Sequence, residues 1–241
     1  MTQKPKVSII TIVRNGMPRL LDTLESFKKQ SYKNKELIVV YSKSEDRTLK
    51  IIKSSNIVNK IIYQNKQNLY NAINLGLKNV SGDVIGILHC DDIFFSSKSL
   101  EIVMKNYIKD KFDVAYGNIL ISEKNNLEDV IRNWKSKTFK KNNLNYGWMP
   151  PHVSIFISNR NKNITYNKNY KISADYLYIL KILNKSKIIR YIDSYITIMR
   201  TGGASSNHLL KFREDLSIAK KYFKYYLRTI ILKIISKVNQ Y

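Results

Sequence analysis

Two segments constrain this chain more than any others. Val7–Val13 reads VSIITIV and residues 36–41 read ELIVVY, both dense in β-branched and aliphatic side chains with no sustained polar alternation. Runs of that kind are strands covered on both faces, as in parallel sheets flanked by helices. Asn15-Gly16 turns the chain after the first run. Leu20, Leu21, Leu24 and Phe27 then recur at helical spacing, with Pro18 placed in the first turn, where a missing N–H is tolerated. The unit repeats downstream. A polar loop at 42–47 and a short helix through Ile52 precede a brief strand at 60–63, and a helix over Leu69–Lys78 turns Ala72, Ile73 and Leu77 to one side. Ser81-Gly82-Asp83 turns into a strand at 84–88, followed at once by His89, Cys90, Asp91 and Asp92.

Strands alternating with helices at this spacing predict an α/β fold with a mostly parallel central sheet and right-handed crossovers. Such sheets gather ligands beyond the carboxyl ends of their strands. Three polar clusters fall there: Arg14-Asn15-Gly16, residues 42–46, and His89 to Asp92. Past Gly117 the pattern loosens. Residues 122–148 are polar, Asn/Lys-rich and punctuated by Trp134 and Trp148, which predicts a long excursion or mobile segment. Order returns at Met149-Pro150-Pro151-His152, a strand at 153–157, an amphipathic helix at 172–183, strands over 188–199 and a flexible Gly/Ser loop at 201–206. With no internal repeat and no clean linker, the expected organisation is one domain over 1–207, with halves 1–118 and 119–207, and a C-terminal appendage over 208–241.

Composition narrows the function classes. The 241 residues carry 42 Lys+Arg against 18 Asp+Glu, a net +24, yet 44% are hydrophobic, which excludes a disordered polycation. No apolar run approaches a bilayer span, and the single cysteine, Cys90, excludes a disulfide framework or a multi-cysteine zinc site. The opening residues run straight into the first strand, so the expectation is no signal peptide and a reducing, cytoplasmic setting. The charge, mostly Lys among many Asn, Ile and Tyr, could simply reflect base composition. A positive field would also draw in phosphorylated substrates, nucleic acid or anionic lipid headgroups.

Asp91-Asp92 is the sharpest chemical feature. Adjacent carboxylates at a strand end repel each other unless a cation or strong donors neutralise them, and a hard divalent metal suits oxygen ligands. The bland alternative has one of them capping a helix near Ser97 and the other solvated. Asp175, at the start of the 172–183 helix, has an equally plain role as an N-terminal charge favourable to the helix dipole, worth roughly 0.3–1 kcal/mol. His152 could be a packed histidine, Cys90 a small packed residue and His89 a shaper of the turn, while Gly202-Gly203 could either offer N–H groups to phosphate or form a plain loop.

Taken in order, these segments resemble glycosyltransferase family 2, inverting enzymes with the nucleotide-sugar-binding GT-A fold, and in particular bacterial enzymes of surface-polysaccharide (lipopolysaccharide, O-antigen or capsule) assembly. VSIITIVRNG resembles the family's opening strand and base-binding turn, and Leu24 to Tyr32 with ELIVV its next stretch. Tyr70-Asn71-Ala72-Ile73-Asn74-Leu75-Gly76 resembles "Y-D-A-M-N-K-G", DVAYGN at 113–118 resembles "D-V-V-Y-G-D", and Met149-Pro150 with His152 resembles "M-P-x-x-H". ISADYLYILKIL resembles the helix bearing the general base, and Arg200 with Gly202-Gly203-Ala204-Ser205 the "R-x-G-G-x-S" loop. The resemblance implies Asp175 as base and Mg²⁺ or Mn²⁺ on Asp92 with Asp91. It implies donor contacts from Thr11, Val13, Asn15, Tyr41, Asp46, Tyr70, Asn74, Asp91, Arg200, Gly203 and Ser205, and an acceptor side near His152 and Trp148. The implied partners are a nucleotide-diphosphate sugar and a glycan or lipid-linked acceptor, with a homodimer possible and no nucleic acid.

Departures from the family pattern are specific. Tyr41 stands where an acidic residue usually accepts hydrogen bonds from uracil, Ser42 and Lys43 replace glycines, and Lys66, Gln67 and Asn68 replace "D-x-G". Asn71 and Asn118 occupy common Asp positions. A non-uridine donor, or an inactive transferase-like scaffold, would account for them. A basic nucleic-acid-binding protein is the non-enzymatic rival, although no helix-turn-helix, RNP-like or finger pattern is present. In the tail, Leu216, Ala219, Phe223, Leu227, Ile230, Ile234 and Val238 project at about 100° per residue as one stripe flanked by basic residues, including Lys237. Tyr222, Tyr225, Tyr226 and Tyr241 could sit at a headgroup boundary. That predicts either an interfacial helix on the anionic inner face of the plasma membrane, or a terminal helix packed on the domain or a second subunit.

Overall fold

A computed structural model describes residues 4–65, 68–202 and 207–238. The N-terminal half follows the expected alternation: β1 (Val7–Val13), α1 (Leu20–Lys28), β2 (Lys35–Ser42), α2 (Thr48–Ser54), β3 (Lys60–Gln64), α3 (Leu69–Lys78) and β4 (Val84–Ile87). These strands run parallel in the order β3-β2-β1-β4, with Val7 to Val13 in register with Lys35 to Tyr41. The unbroken apolar runs are explained by two-sided burial. Ile10, Ile38 and Val40 pack in one apolar cluster with α3, whereas Val7, Ile9, Leu37 and Val39 pack in another with α1. Burying each such side chain contributes about 1.5–3 kcal/mol. At Gly76 helix and strand come so close that a Cβ would lie 2.5 Å from Ile10 Cγ2, so the helix can sit this low only on a glycine. Leu21, expected on the packed side of α1, is exposed, and Thr23 is buried instead. Pro18 precedes the helix, following a cis Met17–Pro18 bond, rather than occupying its first turn.

The second half changes character. After β5 (Ile93–Phe94) and α4 (Ser99–Asp110) come β6 (Val114–Ser122), β7 (Val130–Trp134), β8 (Phe156–Ser158), α5 (Ala174–Lys185) and β9 (Ile189–Arg200). The sheet continues β4-β8-β6-β9-β5, with β7 also on β6. Here β8 is antiparallel to both neighbours, β6 and β9 are parallel, and β5 and β7 pair antiparallel. The expected excursion over 122–148 is instead structured, because Val130–Trp134 returns along β6 and Lys141–Tyr146 coils into a 3-10 helix. The expected strand at 153–157 is shorter and later, since His152–Ser154 forms a 3-10 turn before it.

The tail corrects the single projected stripe. It forms α6 (His208–Tyr222) and α7 (Tyr226–Val238), separated by an extended Phe223 at φ −129° and ψ 132°. Non-helical residues between the two helices reset the phase that a constant 100° projection assumes. Ile218, Ala219, Phe223 and Ile230 join the α5 cluster, whereas Leu227 and Ile234 are exposed. The side chains of Lys237 and Val238, and all of Tyr241, lie outside the described residues. Helix α7 also crosses directly over Gly147 (φ +76°), where a Cβ would come 2.5 Å from the Lys233 nitrogen, and Thr229 Oγ1 donates to the Asn145 carbonyl at 2.8 Å.

Candidate active site

At the ends of β1 and β2 two loops are laced together. Asn15, in the left-handed region at φ 47°, donates its N–H to Ser44 Oγ at 2.9 Å and accepts the Glu45 N–H on its Oδ1 at 2.9 Å. Gly16 N–H reaches Thr48 Oγ1 at 2.8 Å, and Asp46 receives the N–H groups of Met17 and Thr48, both at 3.0 Å. Desolvation works against the Asp46 carboxylate, but the hydrogen bonds from Thr48 and Met17 outweigh it and hold its pKa below the ordinary value. Among the expected donor residues here, Thr11 and Val13 are buried within β1. Tyr41 is buried too, its hydroxyl accepting the Ser44 N–H at 2.9 Å and its ring edge-on to Tyr63. Arg14, Asn15, Lys43, Glu45, Asp46 and Arg47 are the exposed polar groups of these two loops.

The loop after β4 is held by Arg200, from the end of β9. Its backbone N–H donates to Asp92 Oδ1 at 3.1 Å, while its guanidinium donates to the Asp91 carbonyl and to Asp22 Oδ2, both at 2.6 Å. Thr23 Oγ1 donates to the Asp92 carbonyl at 2.8 Å. Asp91 is half-buried, and Asp92 is only 1% exposed. Burial pushes the Asp92 carboxyl well up, the neighbouring Asp91 charge adds to this, and Arg200 opposes it. Neither aspartate caps the following helix, because α4 starts at Ser99 and the Ser96 N–H is satisfied by Ser99 Oγ.

Asp92 Oδ2 is buried without a hydrogen-bond partner, an orphaned acceptor beside a second carboxylate. Among the described residues no cluster of three or more His, Cys, Asp or Glu side chains could hold a metal alone. Two hard carboxylates, completed by phosphate oxygens and water, match what Mg²⁺ accepts. The residues fit such an ion, with Asp91 the more accessible ligand.

The third station is the start of α5. Asp175 is half-buried in the first turn, and its Oδ1 accepts the Tyr176 N–H at 2.8 Å. Tyr70 and Asn74, expected on the donor, both reach across to this half. Tyr70 OH donates to the Ile172 carbonyl, and its ring stacks on Tyr166, which stacks on Tyr178 at 3.9 Å. Asn74 holds the Tyr166 backbone through both ends of its amide, each at 2.8 Å. His152 Nε2 lies 2.7 Å from Tyr166 OH, and its ring centroid is 6.1 Å from that of His89. Burial lowers the His89 pKa while Asp91 and Asp175 both push it upward, so both acidic stations act on one imidazole. Burial, reinforced by His89 and opposed by Asp175, takes His152 down to about 4. Burial and then Asp91 and Asp92 raise the Cys90 thiol to about 12, leaving it an unreactive packed group. Trp148 packs against Tyr116 and Phe139. Gly203 and Ser205 lie outside the described residues.

Sequence reasoning passed over Tyr166, Asp22 and Glu214. They sit in segments without a motif, and only the fold brings them to the site.

A parallel sheet ending in an acidic loop, extended by a mixed second half in which helix α5 opens on Asp175, places the molecule in the GT-A class of nucleotide-sugar transferase folds. The structure of S. aureus TarS 1-349 in complex with UDP-GlcNAc superposes with a TM-score of 0.70 at 17% identity, covering 90% of this chain and 66% of that one. The model for Glycosyl transferase family 2 matches residues 8–168, and the chain belongs to that family. An uncharacterized glycosyltransferase of Rickettsia typhi is 36% identical over 127 residues, 51% of this chain but only 39% of the relative's length. An uncharacterized glycosyltransferase of Haemophilus influenzae is 24% identical over 256 residues, covering 98% of this chain and 79% of that protein.

Proposed function

We propose that this chain transfers a sugar, with inversion, from a nucleoside-diphosphate sugar to a hydroxyl of a glycan or lipid-linked acceptor in cell-surface polysaccharide synthesis. The observation that carries this reading is the buried, unpartnered Asp92 Oδ2 beside Asp91 in the loop after β4, in a chain of Glycosyl transferase family 2. Asp175 takes the proton of the acceptor hydroxyl as its oxygen bonds to the anomeric carbon, and the bond from that carbon to the diphosphate oxygen breaks on the opposite face. Asp91 and Asp92 would hold Mg²⁺ or Mn²⁺, which would neutralise charge on the departing nucleoside diphosphate. Arg200 keeps that loop in place through Asp22 and the Asp91 carbonyl. The neutral His89 and His152 give the cleft a polar wall without adding positive charge that would compete for the base.

A thermal-shift screen of nucleoside diphosphates and nucleotide sugars, beginning with UDP-GlcNAc, with Mn²⁺ or with EDTA, tests the donor. One nucleotide should stabilise the protein only when metal is present. The absence of any shift, together with no release of nucleoside diphosphate, sinks the reading. The same screen addresses Tyr41, since a shift confined to a non-uridine nucleotide would explain the missing acidic residue.

The site is further proposed to work at the inner face of the plasma membrane. Among the described residues no helix is long and apolar enough to cross a bilayer. Helix α7 nevertheless turns Leu227, Ile231, Ile234 and Ile235 outward, next to Lys224 and Arg228, which suits an anionic lipid surface. Sedimentation with phosphatidylglycerol vesicles should fall sharply for Ile231→Glu/Ile235→Glu, and unchanged recovery would remove the membrane from the proposal.

A further inference from the structure

We infer that Glu214 on α6 is a positioning residue for Asp175, capping the base-bearing helix from outside its own sequence. The inference rests on Asp175 being the base. An α-helix begins with N–H groups that have no partner inside it, and a Ser, Thr, Asp or Asn at the N-cap normally accepts one of them. Helix α5 has Ser173 at that position, yet its side chain caps nothing. The Glu214 carboxylate instead anchors the segment leading into the helix, up to and including the N-cap N–H. Its Oε1 accepts the Lys171 N–H at 2.8 Å, and its Oε2 accepts those of Ile172 at 2.9 Å and Ser173 at 2.8 Å. Three charge-assisted bonds converge on the residues just ahead of Asp175. From the opposite side Tyr70 OH holds the Ile172 carbonyl.

The consequence for chemistry is direct. Glu214 fixes the backbone immediately before Asp175, and among the described residues only Oδ1 of Asp175 makes a hydrogen bond, with the adjacent Tyr176 N–H. Asp175 Oδ2 is left available for a proton from the acceptor. Glu214 is itself kept in register by its neighbour. Asp215 pairs with Lys233 of α7 at 3.0 Å, and that ammonium lies 3.2 Å from the centroid of the Tyr176 ring, one residue past Asp175. The C-terminal helices are therefore part of the scaffold of the base.

The test uses the full chain and the release of nucleoside diphosphate from the nucleotide sugar picked out by the thermal screen, with water or acceptor as nucleophile. Glu214→Ala should lower kcat about 10–100-fold, the scale of a small misplacement of a reacting group, with donor KM unchanged. Glu214→Gln keeps one acceptor oxygen and should fall between the two, so the idea stays testable if the alanine variant folds poorly. In an Asp175→Asn background Glu214→Ala should cause no further loss, because its effect passes through the missing carboxylate. Full activity of both Glu214 variants overturns the inference. So does a raised donor KM, or an undiminished loss in the Asp175→Asn background, which would mark a general structural role. Near-normal turnover by Asp175→Asn alone instead removes the base assignment on which the inference stands.

Discussion

The two acidic stations, the loop after β4 and the start of α5, are stabilised in opposite ways. The loop after β4 gathers charge inward: Asp92 is buried, Asp91 is beside it, and Arg200 ties the loop to Asp22. The start of α5 instead arranges donors outward, with backbone N–H groups taken by Glu214 and no cation on the base itself. The group proposed to hold a cation sits where negative charge is costly without one. The group proposed to take a proton sits at the favourable end of a helix dipole.

The largest expected effect tests the second station. Asp175→Asn should lower transfer by about 10²–10⁴-fold, the usual contribution of a positioned acid or base, while nucleotide-induced thermal shifts persist. Loss of those shifts as well would mean that the two stations are one. Next is Arg200→Ala, which removes the cation from the first station. The guanidinium is buried but its Asp22 partner is half-exposed, so chemical denaturation should show a loss of about 1.5–3 kcal/mol, the scale of lost hydrogen bonds to a charged group, partly restored by Mn²⁺. A fall of similar size without metal rescue would show that Arg200 serves the sheet rather than the carboxylates. A smaller effect is expected at the scaffold of the second station. Gly147→Ala puts a side chain at positive φ against the α7 backbone and should cost about 1–3 kcal/mol, with proteolysis appearing first within α7.

The smallest effect concerns pH. His152 has its pKa lowered to about 4 in the folded protein, against an ordinary value near 6.5. As pH falls below about 6.5 the unfolded chain binds a proton that the folded chain refuses, so stability declines down to about pH 4 and then levels off. His152→Gln should flatten that part of the melting-temperature profile. An unchanged slope would assign the acid sensitivity to other groups.

Much of the first station was legible in the sequence, and little of what supports the second. The strand β1 and the helix α3 come with the bounds that local periodicity implies, because two-sided burial and one-sided helix packing leave regular apolar patterns. The acidic pair stands out because it directly follows such a strand. By contrast β7 and β8 are short and paired antiparallel, and β8 lies between two 3-10 turns, so neither writes a clear period. Asp175 was visible through its motif, but Glu214 lies about forty residues downstream in a helix whose pattern concerns its own packing. The likeness to a family conveyed residue types in order, whereas Tyr70 and Asn74 turn out to brace the other half of the protein. Contacts between remote segments carry no local signature.

The contact between α7 and Gly147 has a consequence for biogenesis. Synthesis runs from the N-terminus, so the parallel strands and the loop at Asp91 leave the ribosome early and can begin to organise as a unit. The 3-10 segment at Lys141–Tyr146 and the mouth of α5 must wait for α6 and α7 to emerge and close over them. The loops at the ends of β1, β2 and β4 would thus be made before the helices that brace the segment leading into Asp175.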